Sequence, residues 1–125
     1  EFELIQTIDT YPKEDGEDFV NTASQMIFND SQERLFVTNC GHDSLVLFDI
    51  DPETGKLIYR DFADTSPNPR DLKIFRDQWI IVVCQKGGVV ESYEYRTEKK
   101  GMLFETKYSY LVNEPVCITK FETIF

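Results

Sequence analysis

The sequence predicts an all-β chain, a β-propeller fragment of about two four-stranded blades with a flanking strand at each end. Three observations carry this. No window shows the 3.6-residue apolar period of a helix. Short runs suited to half-buried strands recur between turns built from Gly, Pro, Asn and Asp. The runs repeat at a spacing of about 46 residues, between the periods of about 40 and about 50 residues that mark four-stranded propeller blades.

The repeat is clearest when residues 35–59 are laid over 79–105. Val37-Thr38-Asn39 falls on Val82-Val83-Cys84, and Gly41-His42-Asp43 falls near Lys86-Gly87-Gly88. Asp51 to Gly55 falls on Arg96 to Gly101, and Pro69 to Phe75 finds an echo in Pro115 to Phe121. These overlays place one blade at about 22–62, a second at about 69–110, and a closing strand at 115–121.

In chain order, residues 2–10 alternate weakly and read as an outer strand, and 11–21 form a polar, acidic loop. Residues 22–28 are a strand with Met26 and Phe28 on one face, ended by the turn 29–33. Residues 35–39 and 44–50 make a hairpin about Gly41-His42-Asp43, with Leu45 and Leu47 opposite Val46 and Phe48. At 51–55, Pro52 presets φ and Gly55 accepts a positive one. A strand begins at 57–61, and 62–68 is a loop because Pro67 and Pro69 lack the ladder donor. Strands follow at 70–75, 79–84, 89–96 and 102–110, joined by turns at 76–78, 85–88 and 97–101. In 89–96, Val90, Ser92 and Glu94 face away from Val89, Glu91, Tyr93 and Tyr95. A loop at 112–115 leads to the last strand.

Bulk properties narrow the function classes. The 125 residues allow one domain at most. A net charge of −10, from 13 Lys and Arg against 23 Asp and Glu, argues against a nucleic-acid partner. No apolar run approaches the roughly 18 residues of a membrane helix, so no membrane partner is expected. No signal-peptide pattern is visible. The chain starts at Glu1 already inside a strand-like pattern, which reads as a fragment or a processed chain. Two blades alone would expose two sheet edges. The remaining blades are therefore expected from an absent part of the polypeptide or from self-assembly of copies.

Cys40, Cys84 and Cys117 do not form a disulfide framework, and their number fits a reducing compartment, the cytoplasm. Without CxxC spacing or clustered His no metal site is expected, nor any cofactor. Cys84, Cys117 and Trp79 lie in apolar runs and read as core. Tyr93, Tyr95, Tyr108 and Tyr110 read as sheet packing. Lys86-Gly87-Gly88 lacks the spacing of a phosphate loop and reads as a hairpin turn.

The run LFVTNCGHDSLVLFDIDPETGKL, the later NPRDLKIF and the ending NEPVCITKF resemble the C-terminal blades of the lactonase-family seven-bladed β-propellers. That family includes propeller-type 6-phosphogluconolactonases and carboxymuconate cyclases. The likeness runs from about residue 2 to 121. It implies that residues 22–25, 39–43, 68–71, 85–88 and 113–115 share one rim of a central channel. It further implies ring opening of a small lactone by water, or the reverse reaction, with a small-molecule lactone or anion as partner. Such chemistry needs a base for water and a cation or N–H for the oxyanion.

By this resemblance His42 and Arg70 are the catalytic candidates, and Gln25, Cys40, Asp71 and Lys86 are the substrate-binding ones. Arg70 sits in the matching Pro-Arg-Asp and His42 in Gly-His-Asp-Ser. The chain departs from the family in two places. Gln25-Met26-Ile27 stands where Glu-Ile-His is common, and Asn39-Cys40-Gly41 stands where Asn-Arg-Gly is common. Gln25 cannot act as a base, and Cys40 cannot hold an anion by charge at neutral pH. Two readings stay open: a lactonase whose base lies elsewhere, and a non-catalytic propeller binding a small anion or a protein at its rim. Locally, His42 reads as a turn residue or a catalyst. Arg70 reads as an anion ligand or as the partner of Asp64 or Asp71.

Overall fold

In a computed structural model the chain is described over residues 1–14, 16–17, 19–96 and 102–121. Eight strands follow one another: β1 (Thr22–Phe28), β2 (Arg34–Cys40), β3 (Ser44–Ile50), β4 (Leu57–Asp64), β5 (Pro69–Phe75), β6 (Trp79–Cys84), β7 (Val89–Arg96) and β8 (Met102–Leu111). They form two antiparallel four-stranded meanders, β1-β2-β3-β4 and β5-β6-β7-β8. The fold is an all-β propeller fragment. β5 lies against β1 and β2, and β8 lies against β4, so the sheets stand as neighbouring blades.

Local chemistry explains the elements. Val, Ile, Leu, Phe and Tyr fill the strands, where their bulk packs across a pleated surface. The β3–β4 turn closes when Gly55 N–H donates to Asp51 O at 2.8 Å and Glu53 N–H donates to the Asp51 carboxylate at 2.8 Å. Both innermost strands carry an irregularity at the same place, between Ala23 and Gln25 in β1 and between Pro69 and Asp71 in β5. Each bulge shifts which side chains face the neighbouring blade.

Because the strands alternate, each sheet has two faces, and both are packed in the first sheet. Phe36, Leu45 and Leu47 of the first sheet meet Leu72, Ile74, Ile80, Val82, Tyr93, Tyr95 and Leu103 of the second. Burying each such side chain is worth about 1.5–3 kcal/mol. Leu35, Val37, Val46 and Phe48 form a second cluster on the opposite face of the first sheet, packed against Tyr11, Ile50 and Leu57. The far face of the second sheet has no such cover: Tyr108 and Tyr110 are about four-fifths exposed there, beside the half-buried Ile81, Val90 and Ser92.

The structure corrects several expectations. Residues 2–10 and 115–121 form no strand. A strand needs a neighbouring edge to bond, and both segments attach instead through side chains. Gln6 exchanges two hydrogen bonds with the Leu57 backbone, at 2.8 and 3.1 Å, and Lys120 Nζ donates to Ile74 O. β4 continues to Asp64 where a loop from 62 was expected, and Pro69 opens β5, as a first strand position permits. Trp79 is more than a third exposed because its face is the uncovered one, and Cys117 is exposed because its segment joins no sheet. The expected turn at 97–101 lies outside the described residues.

Candidate functional site

The connections gather at one end of the blades. The Asp43 carboxylate in the β2–β3 turn accepts from Asn68 N–H at 3.0 Å, and Asp43 O accepts from Thr65 N–H at 2.9 Å. The β6–β7 turn reaches the same connection: Gln85 N–H donates to Asn68 O at 2.9 Å and Gly87 N–H to Pro67 O at 3.0 Å. Val112 N–H, past β8, donates to Gly88 O at 3.0 Å. Asp43 and Asn68 both adopt positive φ, 54° and 63°, which short polar side chains tolerate better than most. Residues 65–68, between the two sheets, are thus tied to the turns on either side.

Gln25 and Asp71 meet directly. They hold the same position after the bulge in consecutive inner strands, and Gln25 Nε2 donates to Asp71 Oδ1 at 3.0 Å. Asp71 Oδ1 also accepts from Leu72 N–H at 2.8 Å, and Oδ2 accepts from Ile118 N–H at 3.0 Å. Burial raises the Asp71 carboxyl, but the Ile118 N–H, the Gln25 amide, the Leu72 N–H and Lys73 at 3.5 Å outweigh it, so it sits below the ordinary carboxylate value. Asp71 is an ionised hub with both oxygens engaged.

Cys40, half-buried at the end of β2, donates its thiol to Pro69 O at 3.0 Å, and Ser24 Oγ donates to the same carbonyl. The inner-strand bulge therefore receives a bond from each of two neighbouring strands. Arg70, the next residue, is exposed, and its side chain forms no ion pair among the described residues. It pairs with neither Asp64 nor Asp71. Lys86 is exposed in the β6–β7 turn.

His42, in the β2–β3 turn, is half-buried rather than fully solvent-facing. Its ring lies 4.7 Å from Tyr11, 5.6 Å from Phe62 and 6.0 Å from Phe19, centroid to centroid. Nδ1 sits 2.7 Å from Ser44 Oγ, and the backbone N–H donates to Asn21 Oδ1. Phe62 belongs to the outer strand β4, whereas Arg70 lies on the inner strand β5. Beside His42, Gly41 has φ of +117°, and a Cβ there would meet Val20 O at 2.1 Å. The turn can carry the incoming chain only as glycine.

Two residues to which the sequence reading gave no role, Asn39 and Glu91, are buried polar anchors. Asn39, fully buried, accepts from Thr10 Oγ1 at 2.6 Å and Asn21 Nδ2 at 2.9 Å, and donates to Thr10 O at 2.7 Å. Glu91 accepts from Ser66, Tyr93 and Cys84. Burial, and then the Glu91 charge, push both the Tyr93 phenol and the Cys84 thiol well up, so both stay protonated donors. The signal for both anchors was a polar residue inside an apolar face, Asn39 after Leu35 to Val37 and Glu91 among Val89, Tyr93 and Tyr95.

The arrangement offers an exposed guanidinium at a firmly built rim. Gln25 has no basic site, both oxygens of Asp71 are engaged, and His42 holds Ser44 Oγ through Nδ1 among three aromatic rings. Among the described residues no three His, Cys, Asp or Glu side chains gather as a metal site requires.

Residues 1–120 match the family Lactonase, 7-bladed beta-propeller. Among solved structures, a protein from Lactobacillus plantarum is 23% identical with a TM-score of 0.78, over 88% of this chain and 32% of that one. The periplasmic gluconolactonase PpgL of Pseudomonas aeruginosa is 23% identical with a TM-score of 0.80, over 90% of this chain and 31% of that one. The chain thus spans about a third of the length of these structures. No curated protein matches it.

Proposed function

Because the chain belongs to the seven-bladed β-propeller lactonases, we propose that it forms part of a ring whose channel rim binds a small lactone and opens it with water. The nominal substrate is a sugar-phosphate lactone of the 6-phosphogluconolactone kind. The observation that carries this reading is Arg70, exposed at the inner-strand bulge and free of ion pairs among the described residues. A planar guanidinium suits a phosphate or carboxylate, which it can grip with two parallel hydrogen bonds. Lys86, on the next turn, adds a second positive charge on the same rim.

Ring opening also needs a group to take a proton from water. Asp71 is engaged and depressed, Gln25 has no basic site, and His42 is held among aromatic rings. We therefore assign the base to blades beyond these two, supplied by the rest of a longer polypeptide or by other copies. The three free cysteines favour a reducing compartment.

The same engagement of Asp71 and His42 favours a second reading, in which the rim binds a small anion without turning it over. One experiment separates the two: hydrolysis of 6-phosphogluconolactone by the ring, with Arg70→Ala beside it. Turnover above the spontaneous rate that disappears in Arg70→Ala supports the enzyme. Retained binding of 6-phosphogluconate without turnover supports the second reading. Turnover unchanged in Arg70→Ala removes Arg70 from the site.

A further inference from the structure

Glu91 is a buried ionisable side chain for which ring opening has no use. It lies on the apolar face of β7 with Val89, Tyr93 and Tyr95, and is 8% exposed. In the first sheet the same register position belongs to Val46, opposite Val37 as Glu91 is opposite Val82. No cation pairs with it among the described residues. A buried carboxylate is costly unless its oxygens are satisfied. Here Oε1 accepts from Ser66 N–H at 2.7 Å, Tyr93 OH at 2.9 Å and Cys84 Sγ at 3.3 Å, and Oε2 accepts from Ser66 Oγ at 2.9 Å.

Two of those four bonds come from one residue of the connection between the blades. That connection is held from the sides by Asp43, Gln85 and Gly87, and Glu91 holds it from within. Ser66 lies close against the β6–β7 turn, where a Cβ added at Gly87 would meet the Ser66 Cβ at 2.8 Å. The connection runs straight into Pro69 and the bulge that carries Arg70.

We propose that Glu91 is a positioning residue: by gripping Ser66 it fixes residues 65–68 and so sets where the Arg70 guanidinium meets an anionic group of the substrate. The proposal rests on the reading of Arg70 as the anion ligand. A long cationic side chain binds well only if the backbone beneath it is already in place. An apolar side chain such as Val46 could fill the position but could not hold an amide and a hydroxyl together.

The test is a double-mutant cycle between Glu91→Val and Arg70→Ala, with 6-phosphogluconate affinity read by calorimetry and Ser66 amide exchange read by NMR. Glu91→Gln provides the same cycle if Glu91→Val does not fold. The expected result is binding about tenfold weaker in Glu91→Val, loss of Ser66 amide protection, and no further loss when Glu91→Val is added to Arg70→Ala. A role in stability alone would not depend on Arg70. Additive losses, or a Ser66 amide still protected in Glu91→Val, overturn the positioning role and leave the lactone reading standing. No 6-phosphogluconate binding by the unmutated protein, with Ser66 protection still lost in Glu91→Val, overturns the lactone reading and upholds the anchor.

Discussion

The two blades hold their incoming connections with different chemistry at matched places. In the first, a neutral amide on β2, Asn39, grips Thr10 and Asn21, while the β3 position that matches Glu91 is the apolar Val46, opposite Val37. In the second, the polarity moves one strand outward. The β6 position is Cys84, and the β7 position is the carboxylate Glu91, which grips Ser66. What recurs between the blades is therefore the task, a buried acceptor for the chain entering the inner strand, and not the residue. The lengths differ too. Residues 65–68 cross between the blades almost directly, and a carboxylate with two oxygens can close on one serine. The connection before β1 arrives as two separated ends, and an amide that both donates and accepts serves them better.

The sharpest break of this comparison is Glu91→Ala. It strands the Ser66 N–H and hydroxyl in an apolar interior and takes the Glu91 acceptor from the Cys84 thiol, while the Tyr93 hydroxyl keeps Asp64 O at 2.9 Å, and it should cost about 3–4 kcal/mol. The urea midpoint should fall accordingly, and Ser66→Ala in the same background should recover part of the loss by removing the orphaned hydroxyl. Gly41→Ala follows at about 2–3 kcal/mol, because the new Cβ meets the Val20 carbonyl and the φ of +117° suits only glycine. Its hydrogen-exchange signature should be confined to the first blade.

Asn39→Ala should cost about 2 kcal/mol, less than Glu91→Ala because neutral partners replace a charged one. Asn39→Asp sharpens the test. It keeps acceptance from Thr10 and Asn21 but loses donation to Thr10 O, so it should fall between Ala and the native residue in thermal melts. Equal losses at Asn39→Ala and Glu91→Ala would remove the distinction between the two anchors.

The smallest effect is one of pH. The Asp71 carboxyl is depressed in the folded protein, so its contribution is present in full above the unfolded value of about 4. It is lost as pH falls through the lower folded value. Stability measured between pH 5 and pH 2 should decline, and Asp71→Asn should flatten that part of the profile. An unchanged profile in Asp71→Asn would show that the link from Gln25 to Ile118 carries no net stability.

The sequence by itself determined the eight strands and their grouping into two four-stranded sheets, along with strands at 2–10 and 115–121 that do not form, while the common rim of the turns came from the family resemblance. Hairpins such as 34–50 and 79–96 are built from neighbours, so alternation, turn residues and a repeat period specify them locally. Only the tertiary structure decided what the polar residues at the rim do. Gln25 meets Asp71 across 46 residues of sequence, and Asn39 meets Thr10 across 29. His42 packs against rings from two separate segments, Tyr11 and Phe19 of the incoming loop and Phe62 of β4. A side chain in a repeat is left exposed, buried or satisfied by whatever the neighbouring blade and the incoming chain bring beside it. Trp79 and Cys117, apolar by pattern and yet exposed, show the same dependence from the other side. Strand identity is a property of a few consecutive residues, whereas a site is a property of partners brought together by packing.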